Sequence, residues 1–152
     1  MKVSRLTRER YAGNGYTGFG SALYGQRWNS KGVYVIYAAS SMALAQLELL
    51  VHVRRDLSPD DFVSVTAIVP EDGIDSFDVA ALPTNWRHEP PPLEFCAIGD
   101  RLIREARRLP LRVPSAVSPD DSNILINPRH PRFGEVVIAA PKTLTFDPRF
   151  FT

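Results

Sequence analysis

A single acidic residue, Glu48, stands between Arg10 and Arg55, and it lies in the most apolar segment of the chain. Residues 41–53 read SMALAQLELLVHV, broken only by Gln46, Glu48 and His52. An ionised carboxylate in such surroundings is costly unless it has a partner or a task. The segment reads as a helix. Ser40 or Ser41 supplies the N-cap. Leu44, Leu47 and Val51 fall on one stripe, and Met42, Ala45 and Leu49 on the next, so the helix is expected to be central and apolar on most sides. It is expected to run to about Arg55, with Arg54 and Arg55 suiting its C-terminal dipole. Upstream, residues 33–37 (VYVIY) are β-branched and aromatic throughout and predict a buried strand ending in Tyr37. A polar turn carrying Arg27 precedes that strand. Arg27, Tyr37 and Glu48 thus follow one another closely.

The remaining pattern is strand-rich. Residues 2–7 predict an opening strand, and residues 62–69 alternate as a second strand does. Residues 74–80, 111–117, 123–127, 135–140 and 143–146 predict further strands. Residues 83–92 are proline-rich and cannot be regular structure, with Trp86 as an anchor within them. A second helix is expected over 98–109, with Ile98, Leu102 and Ala106 inward and Arg101, Arg104 and Arg108 on a solvated face. Helices that do not alternate with strands argue an α+β fold. The 152 residues suit one domain, 1–152, large enough to bury a core without disulfides. The one cysteine, Cys96, excludes an internal disulfide and a cysteine-built metal site. No apolar run reaches the roughly 18 residues of a membrane span, and the first residues lack a signal-peptide core. A cytoplasmic location is the simplest expectation.

Residues 1–55 hold eight Lys and Arg but two acids, Glu9 and Glu48, which suggests an anionic partner. Six of the nine glycines lie between Gly13 and Gly32. Among them, Gly13-Asn14-Gly15-Tyr16-Thr17-Gly18 matches G-x-G-x-x-G. A dinucleotide-binding fingerprint needs a strand before it, a helix after it and an acid about 20 residues on. No helical period follows Gly18 and the next acid is Glu48, so that reading is rejected. The loop serves either as a connector or for close approach to a ligand.

The residue types leave three readings of Arg27, Tyr37 and Glu48. In one, Arg27 and Glu48 form a buried ion pair and Tyr37 is core. In another, Glu48 and His52 bind a metal at i, i+4 spacing, but no H-x-x-x-H or H-E-x-x-H string supports it. In the third, arginine grips phosphate, tyrosine packs on a ring and the carboxylate stabilises an oxocarbenium-like sugar carbon.

The order of motifs resembles the RES-domain family, named for its arginine, glutamate and serine. The resemblance runs over nearly the whole chain. It is carried by Gly25-Gln26-Arg27-Trp28-Asn29, by Gly32 and Tyr37, and by the helix from Ala43-Leu44 through Glu48 to His52. Val113-Pro114-Ser115-Ala116-Val117 and the tail from Asn123-Ile124-Leu125-Ile126-Asn127 to His130-Pro131 complete it. After Gly99-Asp100, where the family often has an aromatic, this chain has Arg101-Leu102. The resemblance implies an ADP-ribosyltransferase-like fold of two packed, mostly antiparallel sheets with a few helices. It implies a toxin of a bacterial toxin–antitoxin pair that cleaves the nicotinamide–ribose bond of NAD+, as a glycohydrolase or a phosphorylase. Water or inorganic phosphate would be the acceptor, with no further cofactor and no metal. It implies an Xre-type helix-turn-helix antitoxin as partner, which would contact DNA in place of this chain and cover the active site. A homodimer within that complex, and no membrane contact, belong to the same expectation.

Carried over residue by residue, Arg27 would hold phosphate, Tyr37 would pack on nicotinamide or its ribose, and Glu48 would orient the ribose and stabilise the cation. Ser115 would bond nicotinamide or ribose, and Arg5 would be a second phosphate contact. Asn127 precedes a proline and reads as a turn residue. Two other functions compete: protein ADP-ribosyl transfer, and a non-catalytic module holding nucleic acid or an acidic tail on the basic N-terminal third.

Overall fold

The computed structural model describes residues 1–53, 60–105 and 107–151. The elements run β1 (Lys2–Arg8), α1 (Phe19–Tyr24), β2 (Ile36–Ala39), α2 (Met42–Leu50), β3 (Phe62–Ile68), β4 (Asp75–Ser76), α3 (Leu93–Glu105), β5 (Pro110–Pro114), β6 (Ser122–Ile126), β7 (Val137–Ile138) and β8 (Lys142–Thr143). The α+β class is as expected. Among the described residues no helix is long and apolar enough to cross a membrane.

The strands do not form two separate sheets. One hydrogen-bonded path runs β4-β5-β6-β2-β1-β3-β7, with β8 also on β3. Every pairing is antiparallel except that of β4 with β5. The path nearly parts at its centre. β1 pairs with β3 from Lys2 to Arg8, but meets β2 only at Ser4 opposite Ala39. Beside that meeting point, Arg5 Nη1 donates to the Tyr37 carbonyl at 2.6 Å, so a side chain occupies an acceptor that a strand would otherwise use. The expected two sheets survive as two leaves joined along this seam.

Alternation along the strands builds two cores. Ile36, Ala38, Ile124 and Ile126 turn to one face and pack with Val3, Val63, Val65 and Ala67. Leu125, Leu111 and Val113 turn to the other and pack with Trp28, Trp86, Phe95 and Ile103. Trp28 lies against Phe95 with ring centroids 4.5 Å apart. Trp86 is buried, as an anchor should be.

The helices depart from expectation in informative ways. Ser41 caps α2, its Oγ accepting from Leu44 N at 3.1 Å. The helix then ends at Leu50, and Arg54 and Arg55 lie outside the described residues. It is not central. Leu44 and Ala45 pack against Ala39 and Leu6, while Leu47 and Val51 are exposed. One face against the sheet is all that nine residues laid across β1 and β2 can bury. Helix α3 starts at Leu93, five residues early, and its inward stripe is Phe95, Gly99 and Ile103, with Asp100 beside them. Ile98 and Leu102 are half-buried, and Ala106 lies outside the described residues. Gly99 sets how close α3 comes, because a Cβ there would lie 2.0 Å from the Trp28 carbonyl oxygen.

A short helix, α1, does follow Gly18, contrary to the sequence reading. Gly18 has φ of 70°, and a Cβ on it would meet Val35 N at 2.9 Å. The dinucleotide fingerprint still fails, because the loop follows a 3-10 turn (Glu9–Asn14) in place of a strand. The expected strand at 33–37 pairs only from Ile36 onward. The strand expected at 74–80 shrinks to Asp75–Ser76.

Candidate active site

Arg27 is presented by a loop pinned on both sides. Gln26 and Asn29 pair across it, and Trp28 is 2% exposed. Asn29 is fully buried, its Nδ2 within 3.0 Å of the Ser21, Ser30 and Val33 carbonyls. Ser30 N donates to Asp100 Oδ1 at 2.9 Å, so Gly99-Asp100 holds this loop through both a close approach and a hydrogen bond. Between these anchors Arg27 has little freedom. Its side chain is 16% exposed. Its guanidinium donates to the carbonyls of Trp86 and His88 and, at 3.1 Å, to Glu89 Oε2. The arginine therefore clamps the proline-rich loop to the body of the chain.

Tyr37 stands beside it. Its hydroxyl donates to Asn29 Oδ1 at 2.8 Å and accepts from Trp28 N at 3.0 Å. Burial pushes this phenol far above the usual tyrosine range, so it stays protonated and cannot act as a base. The hydroxyl is occupied by the loop, which leaves the ring as the part available to a ligand.

Glu48 projects from α2 between the two leaves. Its Oε1 accepts from Ser115 Oγ at 2.7 Å and from Asn123 Nδ2 at 2.5 Å. Oε2 has no hydrogen-bond partner among the described residues. The cost of a carboxylate in this apolar helix is thus met by two neutral donors and not by a cation. No ion pair or hydrogen bond joins Glu48 to Arg27 among the described residues, so the buried-pair reading is wrong. The two line one cleft of about 1260 Å³, together with Tyr37, Gln26 and Asn123. That volume is ample for a dinucleotide-sized ligand.

Ser115 stands behind Glu48. Its Oγ donates to Glu48 and accepts from Val117 N and Ser118 N at 3.1 and 3.0 Å, which uses its hydrogen-bonding capacity. It is fully buried and lines neither cavity, so what it visibly supports is Glu48. Arg5 lies behind the main cleft, in an adjoining cavity of about 310 Å³ that shares Gln26, Tyr37, Glu48, His52 and Asn123 with it. Its Nε is buried without a partner among the described residues, and burial lowers its pKa from the ordinary arginine value. His52 is exposed, and no group of three metal-capable side chains occurs among the described residues. Asn127 is a turn residue, accepting from Arg129 N at 2.9 Å.

Comparisons with known proteins bear on the family and the fold. A family model described as RES domain matches residues 2–147. The chain belongs to the RES-domain family. A protein named Toxin Res from Yersinia enterocolitica is 37% identical over 150 residues, covering 98% of this chain and 99% of that one. A Prs ADP-ribosylating toxin from Sphingobium sp. is 35% identical over 142 residues, covering 91% and 88%. Among solved structures, the Mycobacterium tuberculosis MbcT–MbcA toxin–antitoxin complex contains a chain with a TM-score of 0.74 at 15% identity, covering 95% of this chain and 84% of that one. At that identity the likeness is one of fold.

Two cleft residues of this RES domain escape a reading of the sequence. Glu89 sits in a segment whose only local signal is its prolines, and its pairing with Arg27 spans 62 positions. Asn123 is the second residue of β6, and the tail motif that contains it gives it no role. A polar residue heading NILI was the available signal.

Proposed function

We propose that this RES-domain chain is the toxin of a toxin–antitoxin pair and cleaves the nicotinamide–ribose bond of NAD+. The observation that carries the reading is the state of Glu48: one oxygen fixed by two donors, the other without a partner among the described residues, on the wall of a cleft that Arg27 and Tyr37 also line. Nicotinamide in NAD+ is a pyridinium, so the ribose C1′–nitrogen bond breaks with its electron pair moving to nitrogen. The leaving group departs neutral and needs no acid. Positive charge develops at the ribose, where a fixed carboxylate stabilises it. The Tyr37 ring offers a face for stacking. Arg27, with Arg5 behind, supplies cationic charge for the pyrophosphate or an attacking anion. Water or inorganic phosphate then closes on C1′ and loses a proton to solvent. The toxin names of the relatives support the biological setting, and the antitoxin would be a helix-turn-helix protein covering the cleft.

The test is release of nicotinamide from NAD+ by purified, partner-free protein, with and without phosphate. Glu48→Gln is expected to lower the rate at least a hundredfold, in line with loss of a group stabilising transition-state charge. A folded wild type that releases none refutes the reading. The ADP-ribosylating relative favours a second acceptor, a protein side chain. Label from NAD+ left on a protein, with no free ADP-ribose or its phosphate, would replace hydrolysis and phosphorolysis by transfer.

A further inference from the structure

We infer that Asn123 is a positioning residue for the reaction, acting through Glu48; the inference rests on the proposed cleavage of NAD+. Three observations carry it. Asn123 Nδ2 donates to Glu48 Oε1 at 2.5 Å, and Ser115 Oγ donates to the same oxygen at 2.7 Å. Both donors on one oxygen fix which oxygen is turned away from ligand, and they leave Oε2 as the acceptor for ribose or for developing charge. A carboxylate with no such bias would rotate and share its two oxygens between support and substrate.

The second observation is the base on which Asn123 stands. It is the second residue of β6 and is paired on both sides, opposite Ala39 of β2 and Val113 of β5. Its backbone is therefore fixed by two ladders, one of them at Ala39, the residue that also meets Ser4 of β1. A side chain on so rigid a base transmits that rigidity to Glu48, which arrives from a short helix with an exposed outer face.

The third observation is division of labour. Ser115 is fully buried and its oxygen already serves two backbone N–H groups. Asn123 lines both the main cleft and the adjoining cavity. Ser115 is tied to the turn that follows it, whereas Asn123 stands where ligand and carboxylate meet and keeps Glu48 aligned there. An amide suits this place. It is neutral, so it does not cancel the charge that stabilises the ribose cation, and it gives a directed N–H that a hydroxyl rotor does not.

The experiment compares wild type, Asn123→Ala and Asn123→Asp for nicotinamide release, with kcat and KM separated and thermal melting recorded. Asn123→Asp keeps the shape but sets an acceptor against the carboxylate. Asn123→Ala is expected to lower kcat about a hundredfold, the scale of a misplacement near 1 Å, with KM within about threefold of wild type. Asn123→Asp is expected to lower kcat further, with a moderately lower melting temperature because two carboxylates then face each other. A space-filling role would leave kcat of Asn123→Asp close to wild type, and that result overturns the inference. A rise in KM with kcat unchanged also overturns it, making Asn123 a ligand contact. Should Asn123→Ala fail to fold, the isosteric Asp variant decides alone. An inactive wild type refutes the underlying cleavage reading, which an active wild type with unaffected variants does not.

Discussion

Replacing Tyr37 by phenylalanine separates two roles that one side chain holds. The change removes a hydroxyl that donates to Asn29 Oδ1 at 2.8 Å and accepts from Trp28 N at 3.0 Å. Both partners belong to buried residues, Trp28 and Asn29. A buried group left unpaired costs about 1–3 kcal/mol, and two are left here, with partial relaxation between them. A loss of about 3 kcal/mol follows. For a chain of this size that is a fall in melting temperature of roughly 6–12 °C. The pH dependence has a definite sign. Burial raises the folded-state pKa of Tyr37 above the unfolded value of about 10. The contribution is fully present below that unfolded value and is lost only as pH rises beyond it. The Tyr37→Phe deficit is therefore expected to be equal at pH 6 and pH 8. The ring face is untouched, so KM for NAD+ should stay within about threefold of wild type, the range of a small packing change. Urea unfolding followed by tryptophan fluorescence, with nicotinamide release alongside, reads both. A variant as stable as wild type would refute the account of the loop. A stable variant that has lost affinity would show the hydroxyl, not the ring, to be the ligand contact.

Gly99→Ala places a Cβ 2.0 Å from the Trp28 carbonyl oxygen, a backbone atom that cannot swing aside. Helix α3 must move off the Arg27 loop, and a loss of about 3 kcal/mol or more, or failure to fold, is expected in thermal melts. Glu89→Gln weakens the hold of the loop on Arg27. Since Glu89 is 68% exposed, stability should change by less than about 1 kcal/mol. The guanidinium stays bonded to the Trp86 and His88 carbonyls but loses its carboxylate, so under the proposed activity its charge should bind the pyrophosphate better and lower KM for NAD+ by up to about fivefold. An unchanged or higher KM would show that Arg27 serves only the loop.

Local rules made much of this molecule readable. Ser41 caps α2 because a hydroxyl before an apolar run has a free N–H to meet, and that needs no knowledge of the rest of the chain. The strands at β1, β3 and β6 follow from alternation, and the irregular stretch holding Trp86 follows from its prolines. What sequence misjudged was set by distant surfaces. The composition of α2 makes it look central, but burial is decided by how much sheet lies beneath it, and Leu47 and Val51 find none. The closeness of α3 at Gly99 has its reason 71 positions earlier, in the backbone of Trp28. The seam between the leaves was hidden because strand pairing partners are not encoded locally. Residue types singled out Arg27, Tyr37 and Glu48 but left three readings of them open, and the structure brings all three to one cleft. The partners that define their roles, Glu89, Asn29 and the Ser115–Asn123 pair, depend on contacts that no spacing reveals.

The pairing of Glu48 with residues 67 and 75 positions further on bears on how the protein is made. A ribosome writes the carboxylate early and its two donors late. A nascent chain that has emerged through α2 and β3 has neither Ser115 nor Asn123 to turn Oε1 aside, and β2 has no β6 to lie against. The site is armed only when nearly the whole domain has left the ribosome. Under the proposed activity, an aborted or truncated product ending before β6 would spare the NAD+ of the cell that made it, and the interval of synthesis would allow a partner already present to meet the chain as it becomes dangerous.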